Sequence, residues 1–328
     1  MKVKVSELRE KVLAGVSKLG YTGEDAATIV DVLLYAQLRG NNQGVTKIAT
    51  GGVPKANEVE ELKVTKENKC GVLLSGGHSM VASAKAADMA LDLAENHGVG
   101  VVCVNHTLSS SGAIGYFSRR IAQSGYVGFI CTGSTLALVP PSGSAEAKLG
   151  TNPLSYAFPY NGGEVVFDSA TTSMARFGII EAKLKGEKLP EGTGFDKHGK
   201  PTTDPAEILD GGSITTFAGH KGFGLALFVQ LMSSAVALAG TASAHHEDGW
   251  GTFVMAIDPG LFAGADEYMK RATELVEFVK SAKPLPGQTV MLPGERGDAL
   301  AEQAEATGEL EIADAVWQEL SAFITRQD

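Results

Sequence analysis

The chain has 328 residues, 44% of them hydrophobic, enough to bury a large core as about two domains or one interleaved unit. With 38 acidic against 28 basic residues its formal net charge is -10, which excludes nucleic acid or an anionic membrane as the main partner, because either needs clustered Lys and Arg. The start, Met1-Lys2-Val3-Lys4-Val5, lacks an apolar signal core, and the most apolar run (225–239) is broken by Gln230, Ser233 and Ser234 and is too short to span a bilayer, so we expect a cytoplasmic protein.

In chain order, residues 5–19 and 24–39 carry the apolar spacing of two amphipathic helices, with Thr22-Gly23-Glu24-Asp25 as an N-cap and Gly40 as a stop. Asn41-Asn42-Gln43-Gly44-Val45-Thr46-Lys47 follows. Its Asn and Gly content serves a turn, and its amides and lysine also suit the orienting of a carboxylate. From residue 69 the period shortens: 69–74 reads as a strand, 80–96 as an alanine-rich helix and 98–104 as a strand running into Asn105-His106-Thr107. This is a β-α-β rhythm, yet the G-x-G-x-x-G spacing of a Rossmann site occurs nowhere in the chain.

Ser109-Ser110-Ser111-Gly112 sets hydroxyls ahead of a further helix, where capping is the simplest use, and 126–131 is again a strand. Pro140-Pro141-Ser142-Gly143-Ser144 and Leu149-Gly150-Thr151-Asn152-Pro153 are loops of small residues bracketing Lys148, and 165–168 is a strand ending on Asp168. Residues 196–205 read as a charged, exposed turn. Gly219-His220-Lys221-Gly222-Phe223-Gly224 then precedes the apolar run, the pattern of a tight turn feeding the N-terminus of a buried helix. Free N–H groups beside Lys221 suit a phosphate or carboxylate; the plain alternative is close packing and a solvated lysine. Residues 252–257 read as a strand, 267–280 as an amphipathic helix and 299–325 as two terminal helices. Helical ends and a mixed middle predict a helical module, built from both termini, around a central sheet domain. Cys70, Cys103 and Cys131 each lie in an apolar run and read as buried thiols; His245-His246-Glu247-Asp248 reads as a polar surface loop, not a metal site.

Leu149-Gly150-Thr151-Asn152-Pro153, Asp168-Ser169-Ala170-Thr171, Asp196-Lys197-His198-Gly199-Lys200-Pro201-Thr202, Lys221-Gly222-Phe223-Gly224-Leu225, Ala256-Ile257-Asp258-Pro259 and Pro293-Gly294-Glu295, taken together, resemble the type 2 malate/L-lactate dehydrogenase family. The resemblance spans nearly the whole chain. It implies a non-Rossmann α/β fold of the L-sulfolactate dehydrogenase kind, a homodimer, NADPH or NADH as cofactor, and hydride transfer at C2 of a small carboxylate. The helical, substrate-side domain is then residues 1–65 and 285–328, and the mixed α/β cofactor-binding domain is 66–284. On the same basis the cofactor falls to Ser110, Gly112, Pro141, Ser142, Thr151, Asn152, Asp168, Thr171, His220, Lys221, Gly222 and Gly224, and the substrate to Asn42, Lys47 and Thr151.

The sequence departs from the family at its acid. Members carry Ser-His-Gly after the second helix, with an arginine four residues beyond the histidine; here stand Asn42-Gln43-Gly44 and Lys47. A second histidine, in a His-Phe-Gly run, is replaced by Ser110-Ser111-Gly112, while His106 lies slightly upstream. An amide cannot transfer a proton at neutral pH, so among the catalytic candidates Gln43 can only orient by hydrogen bonding, and Lys47 and His106, with His220, are the candidate acids. A cyclic imine carboxylate can be protonated before hydride arrives and needs no strong acid, which tilts the sequence reading toward imine reduction. The alternatives are a 2-oxo acid/L-2-hydroxy acid dehydrogenase with a replacement acid, and a nucleotide-binding dimer that has lost catalysis.

Overall fold

The computed structural model describes residues 1–243 and 246–326. Helix Val5–Lys18 buries Leu8, Val12 and Val16 at a spacing of four, and Gly23–Leu38 buries Ala26, Ile29 and Leu33, so the two pack along apolar stripes. Thr22 stands at the N-cap, but its hydroxyl makes no cap bond; Glu24 and Asp25 act there only on the helix dipole. The chain's last helices, Glu295–Thr307 and Asp314–Thr325, return to this pair, and between them Glu309–Glu311 forms an antiparallel ladder with Lys2–Lys4. Asp298 fastens this end to the rest: it accepts from both Nη atoms of Arg119 (2.6 and 2.5 Å) and from Arg39 Nε at 3.1 Å. Burial pushes its carboxyl up, and the two guanidiniums outweigh that and leave it below its ordinary value.

The middle of the chain forms a seven-stranded sheet in the order Lys63–Asn68, Gly71–Ser75, Val99–Thr107, Trp250–Ile257, Val127–Gly133, Leu154–Tyr160, Gly163–Ser169. Gly71–Ser75 and Val99–Thr107 are parallel, joined by the crossover helix Ser79–His97, as the β-α-β rhythm requires; the other neighbours are antiparallel. This is a mixed sheet, not a doubly wound parallel one. A single core cluster runs from Leu8, Ile29 and Leu320 of the helical ends to Val102, Ile121 and Ile130 of the sheet region.

Three local expectations are corrected. The serines at 109–111 do not cap the following helix, which is Gly115–Gln123 with Ile114 at its N-cap, and the Ser109 and Ser110 hydroxyls are used in long-range bonds described below. Cys70 is exposed in the turn after Lys63–Asn68, whereas Cys103 and Cys131 are buried and burial raises both thiols, Cys103 to about 11. The apolar run is helical (His220–Gln230, then a wider helical turn Leu231–Val236) but not buried: Ala226 and Val229 face the sheet while Leu227, Phe228 and Leu231 stay exposed. Helix Ala265–Lys280 has no buried residue, and Phe278 is 74% exposed. Among the described residues no helix is long and apolar enough to cross a membrane.

Candidate active site

Loops leaving the helical module and the sheet converge on a cavity of about 780 Å³, lined by Gln43, Ser110, Asn152, Asp168, Arg176 and Trp250 among others. One wall is set by His78, which is 2% exposed and caps helix Ser79–His97. Its Nδ1 accepts from the Met80 N–H (3.2 Å), so the ring proton lies on Nε2, 3.0 Å from Ser109 Oγ. Ser109 Oγ donates onward to the Ser110 carbonyl (3.1 Å), and Ser79 Oγ donates to the Ser109 carbonyl (2.8 Å). This network holds Ser109 at φ 104°, a conformation costly for any residue with a Cβ. Burial lowers the His78 pKa to about 3, so the ring is a neutral scaffold.

Ser110, beside it, faces the cavity. Its Oγ accepts from the Gly112 N–H (3.4 Å) and is hydrogen-bonded to Lys47 Nζ. Lys47, on the short helix Thr46–Ala49, has no exposed surface, and its Nζ lies 3.4 Å from the centroid of the Phe177 ring. Burial, and after it the charge of Arg176, pushes the Lys47 pKa well below the ordinary lysine value. Arg176 opens helix Arg176–Lys185 and lines the cavity. Neither cation has a carboxylate partner among the described residues.

Elsewhere on the wall, Asn152 sits at φ 42°, which asparagine tolerates, and its Nδ2 donates to the Ala226 carbonyl (2.9 Å) and to Gln230 Oε1 (3.0 Å). Its Oδ1 is buried without a partner. Asp168 accepts from the Gly115 N–H at 2.8 Å; burial raises its carboxyl to about 6, and the Gly115 bond pulls the other way.

The family model described as malate/L-lactate dehydrogenase matches residues 3–321. The chain belongs to that family. The L-sulfolactate dehydrogenase of Methanocaldococcus jannaschii is 33% identical over 311 residues, covering 90% of this chain and 89% of that protein. A solved sulfolactate dehydrogenase structure from the same organism superposes with a TM-score of 0.80 at 30% identity, covering 98% of this chain and 96% of that one. A Δ1-pyrroline-2-carboxylate/Δ1-piperideine-2-carboxylate reductase of Pseudomonas putida is 34% identical over 246 residues, covering 71% and 69%. The malate/L-lactate dehydrogenase family is therefore an oxidoreductase family whose members act, by name, on different small carboxylates.

On this family member the cavity gathers Asn42, Gln43, Ser110, Gly112, Thr151, Asn152 and Asp168. Lys47 lies behind Ser110. His106 is outside the lining, with Nδ1 3.2 Å from Ser75 Oγ and 3.0 Å from Asn105 Oδ1. Thr171 supports the site from behind by donating through Oγ1 to the Thr151 carbonyl (3.0 Å). Pro141 and Ser142 stand outside the cavity in a turn closed by the Ser144 N–H on the Pro141 carbonyl (3.0 Å). His220, Lys221, Gly222 and Gly224 also lie outside it, at the start of helix His220–Gln230. Gly222 presses on Phe217, whose N–H donates to the Thr171 carbonyl (3.2 Å), so this turn buttresses the wall. His246 Nε2 lies 2.8 Å from the Ala242 carbonyl, and His245 lies outside the described residues.

Sequence reasoning missed Arg176 and His78. The signal for the first was thin: it is the sole Lys or Arg between Lys148 and Lys183, eight residues after Asp168. For the second it was a histidine directly before Ser79-Met80, at an N-cap position normally read for Ser, Thr, Asp or Asn.

Proposed function

We propose that this protein is a nicotinamide-dependent oxidoreductase that transfers hydride at C2 of a 2-oxo or 2-hydroxy acid. One observation carries the reading: Arg176 lines the cavity and Lys47 is buried just behind Ser110, and neither has a carboxylate partner among the described residues. A 2-oxo acid arrives as an anion and gives Arg176 the partner it lacks, a charge-assisted contact worth about 1.5 to 3 kcal/mol. A cyclic imine protonated on nitrogen is a zwitterion, and its cationic end is repelled by Arg176. The uncompensated positive charge at Arg176 thus favours a 2-oxo acid over the imine to which the sequence leans.

The cavity residues fit a nicotinamide cofactor, NADH or NADPH. Buried Asn152 Oδ1 requires a donor, which a carboxamide N–H or ribose hydroxyl provides, and the Asp168 carboxyl is a further acceptor on the wall. When bound, that group supplies or takes up the hydride. The protein's own residues hold the carboxylate and handle the proton.

A second reading, reduction of a cyclic imine carboxylate, is favoured by Gln43, a cavity amide where the family resemblance implies a histidine. The test is a panel of pyruvate, oxaloacetate, 2-oxoglutarate, Δ1-pyrroline-2-carboxylate and Δ1-piperideine-2-carboxylate with each reduced cofactor. Turnover of 2-oxo acids supports the first reading. Turnover of imines alone supports the second, and cofactor binding without any turnover supports a nucleotide-binding protein that has lost catalysis. We also propose a homodimer, in which the exposed Leu227, Phe228 and Leu231 are covered by a second copy.

A further inference from the structure

Two of the positions where this chain departs from the family pattern, 47 and 110, lie 63 residues apart and are hydrogen-bonded to each other. Ser110 Oγ already accepts from the Gly112 N–H, and a charged Lys47 adds a second donor, which leaves the hydroxyl hydrogen of Ser110 free to point into the cavity it lines. Behind it Lys47 is sealed from water, with Ser110 as its hydrogen-bonding partner and the Phe177 face against its ammonium. The charged group acting on Lys47 is Arg176; the lysine's helix neighbour Ile48 belongs to the apolar core cluster that also holds Val12, Val316 and Leu320. Among the described residues no carboxylate holds the proton on Lys47, so its ammonium is a better acid than a surface lysine.

We propose that Ser110 is the proton donor to the C2 oxygen of the substrate and that Lys47 reprotonates it. The proposal rests on the 2-oxo acid reading. As hydride adds to C2, the carbonyl π pair moves to oxygen, the Ser110 O–H bond breaks and its proton closes the new hydroxyl. One N–H bond of the Lys47 ammonium then breaks, its proton restores the Ser110 hydroxyl, and a neutral amine remains. Once product leaves, water in the cavity protonates the amine through the Ser110 hydroxyl, which passes its own proton to Lys47 and takes one from water. In the oxidation direction the same pair runs backward, with neutral Lys47 as base. Gln43 need then supply only a hydrogen bond, which removes the difficulty of an amide where the family has an acid.

The test compares wild type with Ser110→Ala, Lys47→Met and the double variant, reading kcat, KM, cofactor Kd and the pH dependence of kcat on a 2-oxo acid. Positioned acid-base groups contribute roughly 100-fold or more, so Ser110→Ala should lower kcat about 100-fold with KM and cofactor Kd within about threefold. Wild-type reduction should fall as pH rises through the lowered Lys47 pKa, and that limb should disappear in both single variants. Because the residues act in series, the double variant should be no slower than the worse single one. A ¹³Cε NMR titration of Lys47 in the cofactor-free protein is a readout independent of turnover. Wild-type reduction of 2-oxo acids with Ser110→Ala unaffected overturns the relay alone. So does a Lys47→Met effect confined to KM, or an ordinary lysine titration of Lys47. Reduction of imines only overturns both the relay and the substrate reading beneath it.

Discussion

Asp168 holds its carboxyl where charge is unwelcome, and the cost is measurable. An aspartate that titrates near 3.8 in the unfolded chain is raised by burial to about 6 in the fold. At about pH 3.5 most of it is protonated in both states and the stability is present; as pH rises through about 6 the unfolded chain has already released its proton, and stability falls. Asp168→Asn should therefore melt higher than wild type at about pH 8, by roughly 1 to 3 kcal/mol, and nearly equally at pH 3.5. Thermal scans across that range decide it, and a less stable variant at high pH contradicts the argument. Arg176→Ala should raise KM for the 2-oxo acid by about ten- to a hundredfold while cofactor Kd stays put, and steady-state kinetics with calorimetry checks both. Lys47 was legible as a cation of the site because its loop is rich in amides. Its burial behind Ser110 was not, since nothing local records a contact across 63 residues. Arg176 was hidden for a related reason: one guanidinium after a strand end makes no pattern.

Helix His220–Gln230 separates two glycines with different duties. A Cβ at Gly222 runs into the Phe217 carbonyl oxygen, which is backbone and cannot swing away, whereas Gly224 is exposed with nothing within 4 Å. Gly222→Ala should lower the melting temperature and disturb the wall that Phe217 and Thr171 support. Gly224→Ala should add about 0.5 to 1 kcal/mol from helix propensity. Melting curves of the two variants test the contrast, and loss of cofactor affinity in a stabilised Gly224→Ala protein would mark that exposed face as part of the cofactor's seat. The helices and strands themselves were readable because periods of 3.6 and 2 are written locally. The serines at 109–111 misled because a hydroxyl before a helix suggests a cap. Here His78 and Lys47, brought in by the tertiary fold, claim two of those hydroxyls first.

For the whole molecule, the exposed apolar face is the feature to test. Leu231 is 53% and Phe228 43% exposed on one helical run, and Leu231→Lys should convert the proposed dimer to monomer in sedimentation without changing the far-UV spectrum. A wild type already monomeric at high concentration overturns the dimer. The parallel crossover and the gathering of both chain ends were legible from the order of elements. The insertion of Trp250–Ile257 between Val99–Thr107 and Val127–Gly133 was not, because strand pairing across more than a hundred residues leaves no local mark.

The ladder between Lys2–Lys4 and Glu309–Glu311 also sets a timetable for synthesis. Strand Lys2–Lys4 and the helix that follows it leave the ribosome before their partners exist, and Leu320, which shares a core with Leu8, is made about three hundred residues later. Until then the N-terminal helices expose their apolar stripes, a span of roughly 15 to 60 seconds at ordinary elongation rates. A newborn chain of this protein is thus most vulnerable at helices Val5–Lys18 and Gly23–Leu38, and chaperone dependence should track their apolar stripes.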